Sequence, residues 1–169
     1  RVASLEIEAG GQAYKDLIAS YEKQLEAAGV EVMLGSEVTP KLARKVAPDV
    51  AVVATGARIE RSEIEGASLP TVVYGEWTAP GQIPPGRRVV VLGAQRAGLV
   101  LAEHLAASGR QVAIVGDGPV GADVIPTFKW RHTAWLKELG IEVIAPARVE
   151  KITEEGVHVR AEAGPRLVP

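Results

Sequence analysis

The sequence predicts an α/β fold, a parallel sheet flanked by helices, with part of a second α/β subdomain beside it. Two observations predict it. Residues 87–115 run strand, helix, strand, and two strands joined by a crossover helix lie parallel with a right-handed connection. In addition, three helical stretches stop at a glycine that is followed at once by strand-type residues, at Gly29, Gly109 and Gly140. Glycine is the preferred residue just past a helix end because it adopts a left-handed backbone without a steric penalty.

Taken in order, AYKDLIASYEKQLEAA (13–28) places Leu17, Ile18, Tyr21, Leu25 and Ala28 at helical spacing, with Gly29 as the stop. VEVML (30–34) reads as a short strand. Thr39-Pro40 opens a second helix, with Thr39 as N-cap and Pro40 at the first helical position; it runs through KLARKVA to Pro48. VAVVATGA (50–57) is a continuous apolar run, the pattern of a strand buried on both faces. Residues 58–86 are punctuated by Gly66, Pro70, Gly75, Pro80, Gly81, Pro84, Pro85 and Gly86, and read as a connector with one short strand, TVVY (71–74). RRVVVL, AGLVLAEHLAASG and RQVAIVG form the strand–helix–strand unit. A Gly-rich turn (116–121), a helix over 127–139, the strand IEVIAP (141–146) and a hairpin over 149–162 turning at Glu155-Gly156 follow. The pattern of helix, glycine and V/I-E-V recurs at 13–34 and 128–144, which relates the two halves.

Composition narrows the function. The chain has 169 residues, 47% hydrophobic and 24% charged, with net charge −2, a balance that gives neither nucleic acid nor an anionic membrane as partner. No apolar run is long enough to span a bilayer. There is no cysteine, which excludes disulfides and thiolate-held clusters within these residues and fits a cytoplasmic protein. His104, His132 and His158 have no ligand spacing. The chain begins at Arg1 and closes on Pro-Arg-Leu-Val-Pro, so both ends read as cut from a longer polypeptide.

The stretch VVVLGAQRAG (89–98) resembles a dinucleotide phosphate turn of the Rossmann type. There, the first glycine turns the chain, the second lets the pyrophosphate approach, and the third packs the helix on the strand. Gly93 and Gly98 fill the first and third roles, but Gln95 stands in the second, where its side chain would lie across the pyrophosphate space. Arg96 would partly compensate by pairing with phosphate. The acid expected at the end of the second strand, to hold the ribose hydroxyls, is replaced by Gly116, and Asp117 comes one residue late. Without a ligand, Gly93 and Gly98 read as a tight turn kept for packing.

Thr55 and Gly56, in Ala54-Thr55-Gly56-Ala57, end an apolar run where a ligand approaches an open α/β sheet; a simple strand-exit turn fits equally. Phe128, His132, Trp135 and Leu139 share a helical face expected to pack on the sheet, with His132 a hydrogen-bonded structural residue. Trp130 points elsewhere, toward an interface. Glu22, Lys23 and Glu26 read as a solvated helix face. No catalytic constellation emerges, so any redox chemistry must be carried by a cofactor.

The succession YEKQLEAAGVEVMLGSEVTP, PDVAVVATGA, RRVVVLGAQRAGLVLAEHLAASGRQVAIVG and PTFKWRHTAWLKELGIEVIAPARVEKI resembles the C-terminal nucleotide-binding region of the trimethylamine dehydrogenase and 2,4-dienoyl-CoA reductase family of old-yellow-enzyme-like flavoproteins. The resemblance covers nearly the whole chain. It implies a parent with an FMN barrel, an iron–sulfur cluster and an FAD or ADP site, with NAD(P) a further candidate, and no resident cofactor in this chain alone. It implies three parts: 1–60 as a partial FAD-like subdomain with Thr55-Gly56 near its nucleotide, 61–86 as connector, and 87–169 as an NAD(P)-like domain. The partners implied are the remaining domains of the parent flavoenzyme, and an exposed sheet edge would drive pairing of copies. Gln95 and Gly116 place the chain nearer the amine-dehydrogenase members, in which the insert is mainly a scaffold. The reading is therefore a fragment of a flavin-dependent oxidoreductase with a degenerate dinucleotide site and no turnover alone. The rivals are a competent NAD(P)H-binding domain serving a flavin reductase, and a non-enzymatic interaction module.

Overall fold

The structure, a computed structural model, describes residues 12–56, 60–74 and 86–169. The element order is α1 (Gln12–Ala27), α2 (Pro40–Val46), β1 (Arg88–Leu92), α3 (Arg96–Ala107), β2 (Gln111–Val115), α4 (Pro126–Glu138), β3 (Glu142–Ile144), β4 (Ala147–Thr153), β5 (Gly156–Ala161) and β6 (Gly164–Val168).

The expected parallel sheet is present, in the order β1-β2-β3, with β1 and β2 in register from Arg88↔Gln111 to Leu92↔Val115. Both crossovers step the same way across this sheet, so right-handed connections bring α3 and α4 to one face. Strand residues alternate between two cores. Val91, Val112 and Ile114 meet Leu99, Ala102 and Leu105 of α3 and Leu136 of α4. On the opposite face, Ala113, Val115 and Ile144 meet Ile152, Val157, Val159 and Val168 of a second, antiparallel sheet, β4-β5-β6. The result is three layers: helices, parallel sheet, antiparallel sheet.

Helix ends follow one scheme. After α1, α3 and α4, the glycine N–H bonds three residues back and the next N–H bonds five back: Gly29 to Glu26 and Val30 to Leu25, Gly109 to Ala106 and Arg110 to Leu105, Gly140 to Lys137 and Ile141 to Leu136. This is the Schellman arrangement, and all three glycines have a left-handed backbone, with φ 66° at Gly29, 86° at Gly109 and 64° at Gly140. The start of α2 is also as expected: Thr39 Oγ1 accepts from the Leu42 N–H at 3.2 Å, and Pro40 follows.

Several expectations need correction. Residues 30–34 and 50–56 are not strands. Val52 and Val53 are 86% and 84% exposed, so the run read as buried on both faces is open to solvent. A strand exists only through a neighbour that takes its N–H and C=O groups, and among the described residues none pairs with either stretch. Ala57, at the end of that run, lies outside the described residues. TVVY (71–74) is likewise no strand; Val72 packs on the second core instead. Gly75, Pro80, Gly81, Pro84 and Pro85 lie outside the described residues. The hairpin over 149–162 forms, with Thr153 opposite Gly156, so its loop is Glu154-Glu155, one residue earlier than expected. The tail read only as a cut end is strand β6, paired antiparallel with β5 from Val157↔Val168 to Ala161↔Gly164.

The inward face of α4 also differs. Its buried residue is Leu136, while Phe128 is half exposed. The helix packs against α3 as well as the sheet, so its inward line runs through His132 and Leu136, four residues apart. His132 Nδ1–H donates to Glu103 Oε1 of α3 at 2.6 Å, with both side chains largely buried, which is the structural role expected for it. Arg131 lies over the Trp135 ring, 4.1 Å from its centroid, and Trp130 stands 68% exposed.

His104, on α3, has its pKa lowered from the ordinary value of 6.5, first by burial and second by the nearby Arg110 charge. The folded chain therefore holds the neutral ring more strongly than the unfolded chain does. The sign follows: this contribution to stability is present above the ordinary histidine pKa and is lost as pH falls through it toward the lower folded value. His104→Gln should flatten the dependence of the urea midpoint on pH between neutral and mildly acid buffer. An unchanged slope would show that His104 is as solvated folded as unfolded.

Candidate nucleotide site

The carboxyl ends of β1 and β2 meet where an open α/β sheet takes a ligand. Apolar, β-branched residues drive β1 into the sheet, and Gly93 ends it with φ 111°, a backbone region that other residues rarely adopt. The Gly93 N–H donates to the Val115 carbonyl at 2.7 Å, tying the two strand ends together. Gly98, one turn into α3, is required by contact: a Cβ there would lie 1.8 Å from the Gly93 carbonyl oxygen. Gly93 thus turns the chain, and Gly98 lets the start of α3 lie close against that turn. Ala94, between them, is buried.

Gly116 has a reason of its own. A Cβ on it would stand 2.5 Å from the Ala94 Cβ. The position where a ribose-binding acid is expected cannot carry any side chain while the turn keeps this shape. Asp117 follows it, exposed.

Gln95 is the N-cap residue of α3, with extended backbone (φ −84°, ψ 175°), and its side chain makes no capping bond. Glutamine is a poor N-cap, so the helix start needs an acceptor from elsewhere. Asp123 supplies it: its Oδ1 accepts from the Arg96 N–H at 2.8 Å. The loop carrying Asp123 is pinned over the turn, since the Gly121 N–H donates to the Ala94 carbonyl at 2.7 Å and Val124 is buried in the core that contains Leu99. Sequence reasoning missed Asp123. It is 27 residues from Arg96, and the only available signal was the weak N-cap that it serves.

Gly93, Gln95, Arg96, Gly98 and Asp117 therefore share one end of the parallel sheet. Thr55 and Gly56 do not join them in any described pairing; they lie in the exposed 50–56 segment, where Gly56 has φ 76° and open space around it. Among the described residues, no group of three His, Asp or Glu side chains is placed to hold a metal ion. No helix of the described residues is long and apolar enough to cross a membrane.

A strand, a glycine turn and a helix start built in this way define a dinucleotide-type α/β domain. The chain belongs to the pyridine nucleotide-disulphide oxidoreductase family, whose model matches residues 20–167. It is 28% identical over 148 residues to an NADH oxidase of Thermoanaerobacter brockii, covering 85% of this chain and 23% of that protein. A 2-naphthoyl-CoA reductase, solved with 2-naphthoyl-CoA, has the same fold with TM-score 0.90 at 23% identity, over 99% of this chain and 26% of the other. A 6-hydroxypseudooxynicotine amine oxidase from Pseudomonas geniculata N1 matches with TM-score 0.68 at 24% identity, over 81% of this chain and 22% of the other. The chain spans about a quarter of the length of these proteins.

The family is one of oxidoreductases that use flavin and pyridine nucleotide. In the conformation described, the turn after β1 departs from the dinucleotide pattern at three positions. Its second glycine position is Gln95, its ribose position is Gly116, and the Arg96 N–H, one of the donors a pyrophosphate would take, is bonded to a carboxylate.

Proposed function

We propose that this chain is the nucleotide-domain scaffold of a larger flavin-dependent oxidoreductase of the trimethylamine dehydrogenase and 2,4-dienoyl-CoA reductase type, that its turn after β1 does not seat NAD(P), and that it has no turnover alone. One observation carries this reading: the phosphate turn keeps its architecture, at Gly93 and Gly98, while an internal carboxylate sits on its donor. Further support comes from the proteins it resembles. A CoA-ester reductase and an amine oxidase share its fold, and each is about four times its length.

The domain division we propose is 1–60 as part of an FAD-like subdomain, 61–86 as connector and 87–169 as the NAD(P)-like domain. In support, among the described residues both core clusters draw on residues from Ile64 onward. The partners would be the remaining domains of the parent, laid against the exposed Leu17, Tyr21 and Leu25 of α1 and against Val50, Val52 and Val53. Large exposed apolar patches mark interaction surfaces. FMN and an iron–sulfur cluster would be held outside this chain, which contains no cysteine, and an FAD or ADP site would lie with the first subdomain. A cytoplasmic parent is part of this reading. The second reading, a competent NAD(P)H domain, is favoured by the likeness to an NADH oxidase.

Calorimetry of the chain with NADH and NADPH separates the two. The expected result is no saturable binding below about 1 mM, equivalent to less than about 4 kcal/mol of binding free energy. A micromolar dissociation constant would overturn the scaffold reading.

A further inference from the structure

Resting on the reading that the turn after β1 does not seat NAD(P), we infer that Asp123 is the residue that closes it: its carboxylate stands in for a phosphate on the start of α3. A helix start offers free N–H groups and the positive end of the helix dipole to one anion. Here the anion is covalently part of the chain. Asp123 Oδ1 takes the Arg96 N–H at 2.8 Å, and an N–H with one hydrogen cannot serve a pyrophosphate oxygen at the same time. Two further contacts keep the carboxylate there. The Gly121 N–H bonds to the Ala94 carbonyl at 2.7 Å, and Val124 is buried in the core that contains Leu99, so the loop is seated on the core next to the turn. Asp117, exposed at the end of β2, adds a second negative charge on the same side. A dinucleotide therefore meets a donor already taken and the repulsion of like charge. Gln95 only narrows the approach, since its side chain is exposed and holds no capping bond.

Two substitutions separate charge from capping. Asn caps a helix about as well as Asp, so Asp123→Asn keeps the contact and removes the charge, whereas Asp123→Ala removes both. NADH and NADPH would be titrated by calorimetry into the original chain, both variants and Gln95→Gly. The expected order of affinity is Asp123→Ala first, then Asp123→Asn, then the original chain. The alanine variant should gain about 10-fold or more, and Gln95→Gly alone should gain less.

Thermal melts with inorganic pyrophosphate give a second readout. Asp123→Ala should melt lower than the original chain, and pyrophosphate should restore its midpoint while leaving that of the original chain unmoved, since only a vacated site gains by mass action. If the alanine variant does not fold, the asparagine variant carries the affinity test. Equal affinities across the original chain and the Asp123 variants would overturn the inference while leaving the scaffold reading intact. A larger gain from Gln95→Gly than from Asp123→Ala would overturn it in favour of Gln95. Micromolar binding by the original chain would overturn the scaffold reading itself.

Discussion

Gly98→Ala should destabilise the chain by about 3 kcal/mol or more, toward the upper end for overpacking a close contact. The added methyl carbon would start 1.8 Å from the Gly93 carbonyl oxygen and 2.9 Å from its carbonyl carbon. Both are backbone atoms, so no rotamer change relieves the collision. Either α3 slides away from β1 or the turn at Gly93 opens. Sliding pulls Leu99, Ala102 and Leu105 out of register with Val91, Val112 and Ile114. Opening strains the Gly93 N–H bond to Val115 and moves Arg96 away from Asp123. At about 2–4 °C per kcal/mol for a chain of this size, the melting midpoint should fall by roughly 10 °C. Gly118→Ala is the control: its Cβ would meet nothing, and its backbone lies outside the positive-φ region. It should stay within about 0.5 kcal/mol of the original chain. A Gly98→Ala chain that melts with the control would mean that the turn and helix are not in the contact described.

The portion of the fold that was legible in the sequence is the portion set by neighbouring residues. Strand β1, helix α3 and strand β2 are readable because apolar runs, a glycine stop and a 3.6-residue period lie within a short stretch. The same holds for the three Schellman ends at Gly29, Gly109 and Gly140. What failed depends on distant partners. Val50–Val53 and Val89–Leu92 have the same apolar character, yet only the second becomes a strand, because β2 lies alongside it. β6 was missed for the converse reason: Pro165 and Arg166 look like a tail until β5 takes their backbone groups. At the site, Gly93 and Gly98 were legible from spacing, and the closing residue was not. Asp123 reaches Arg96 through a loop whose path no local pattern specifies. Gly116 read as a missing acid, while the structure gives it a positive reason, contact with Ala94.

The segment read as a connector carries the other large expected effect. Gly66 has φ 84°, and a Cβ there would stand 2.0 Å from the Ile152 carbonyl oxygen. Around it, Glu65 pairs with Lys151 of β4, and the Ile152 N–H donates to the Glu65 carbonyl at 2.8 Å. Ile64, Ala67, Leu69 and Val72 pack on the second core. The loop is closed on itself by Tyr74, whose hydroxyl accepts from the Ser62 N–H at 3.2 Å and donates to the Ala67 carbonyl at 3.4 Å, with Arg61 over its ring. Gly66→Ala therefore meets two penalties at once, a left-handed backbone and a backbone collision, together worth about 3 kcal/mol. The loss should be local. The contacts of α3 with the parallel sheet do not involve residues 60–74, so that core should keep its protection while the segment lifts off β4. Hydrogen exchange reads this directly. The Ile152 amide should exchange about 100-fold faster in the variant, since each factor of ten corresponds to about 1.4 kcal/mol of local opening. Amides of β1 and β2 should change far less. Uniform acceleration across all strands would mean that the segment and the sheets unfold as one unit. Unchanged Ile152 exchange would mean that Gly66 does not approach β4 as closely as described.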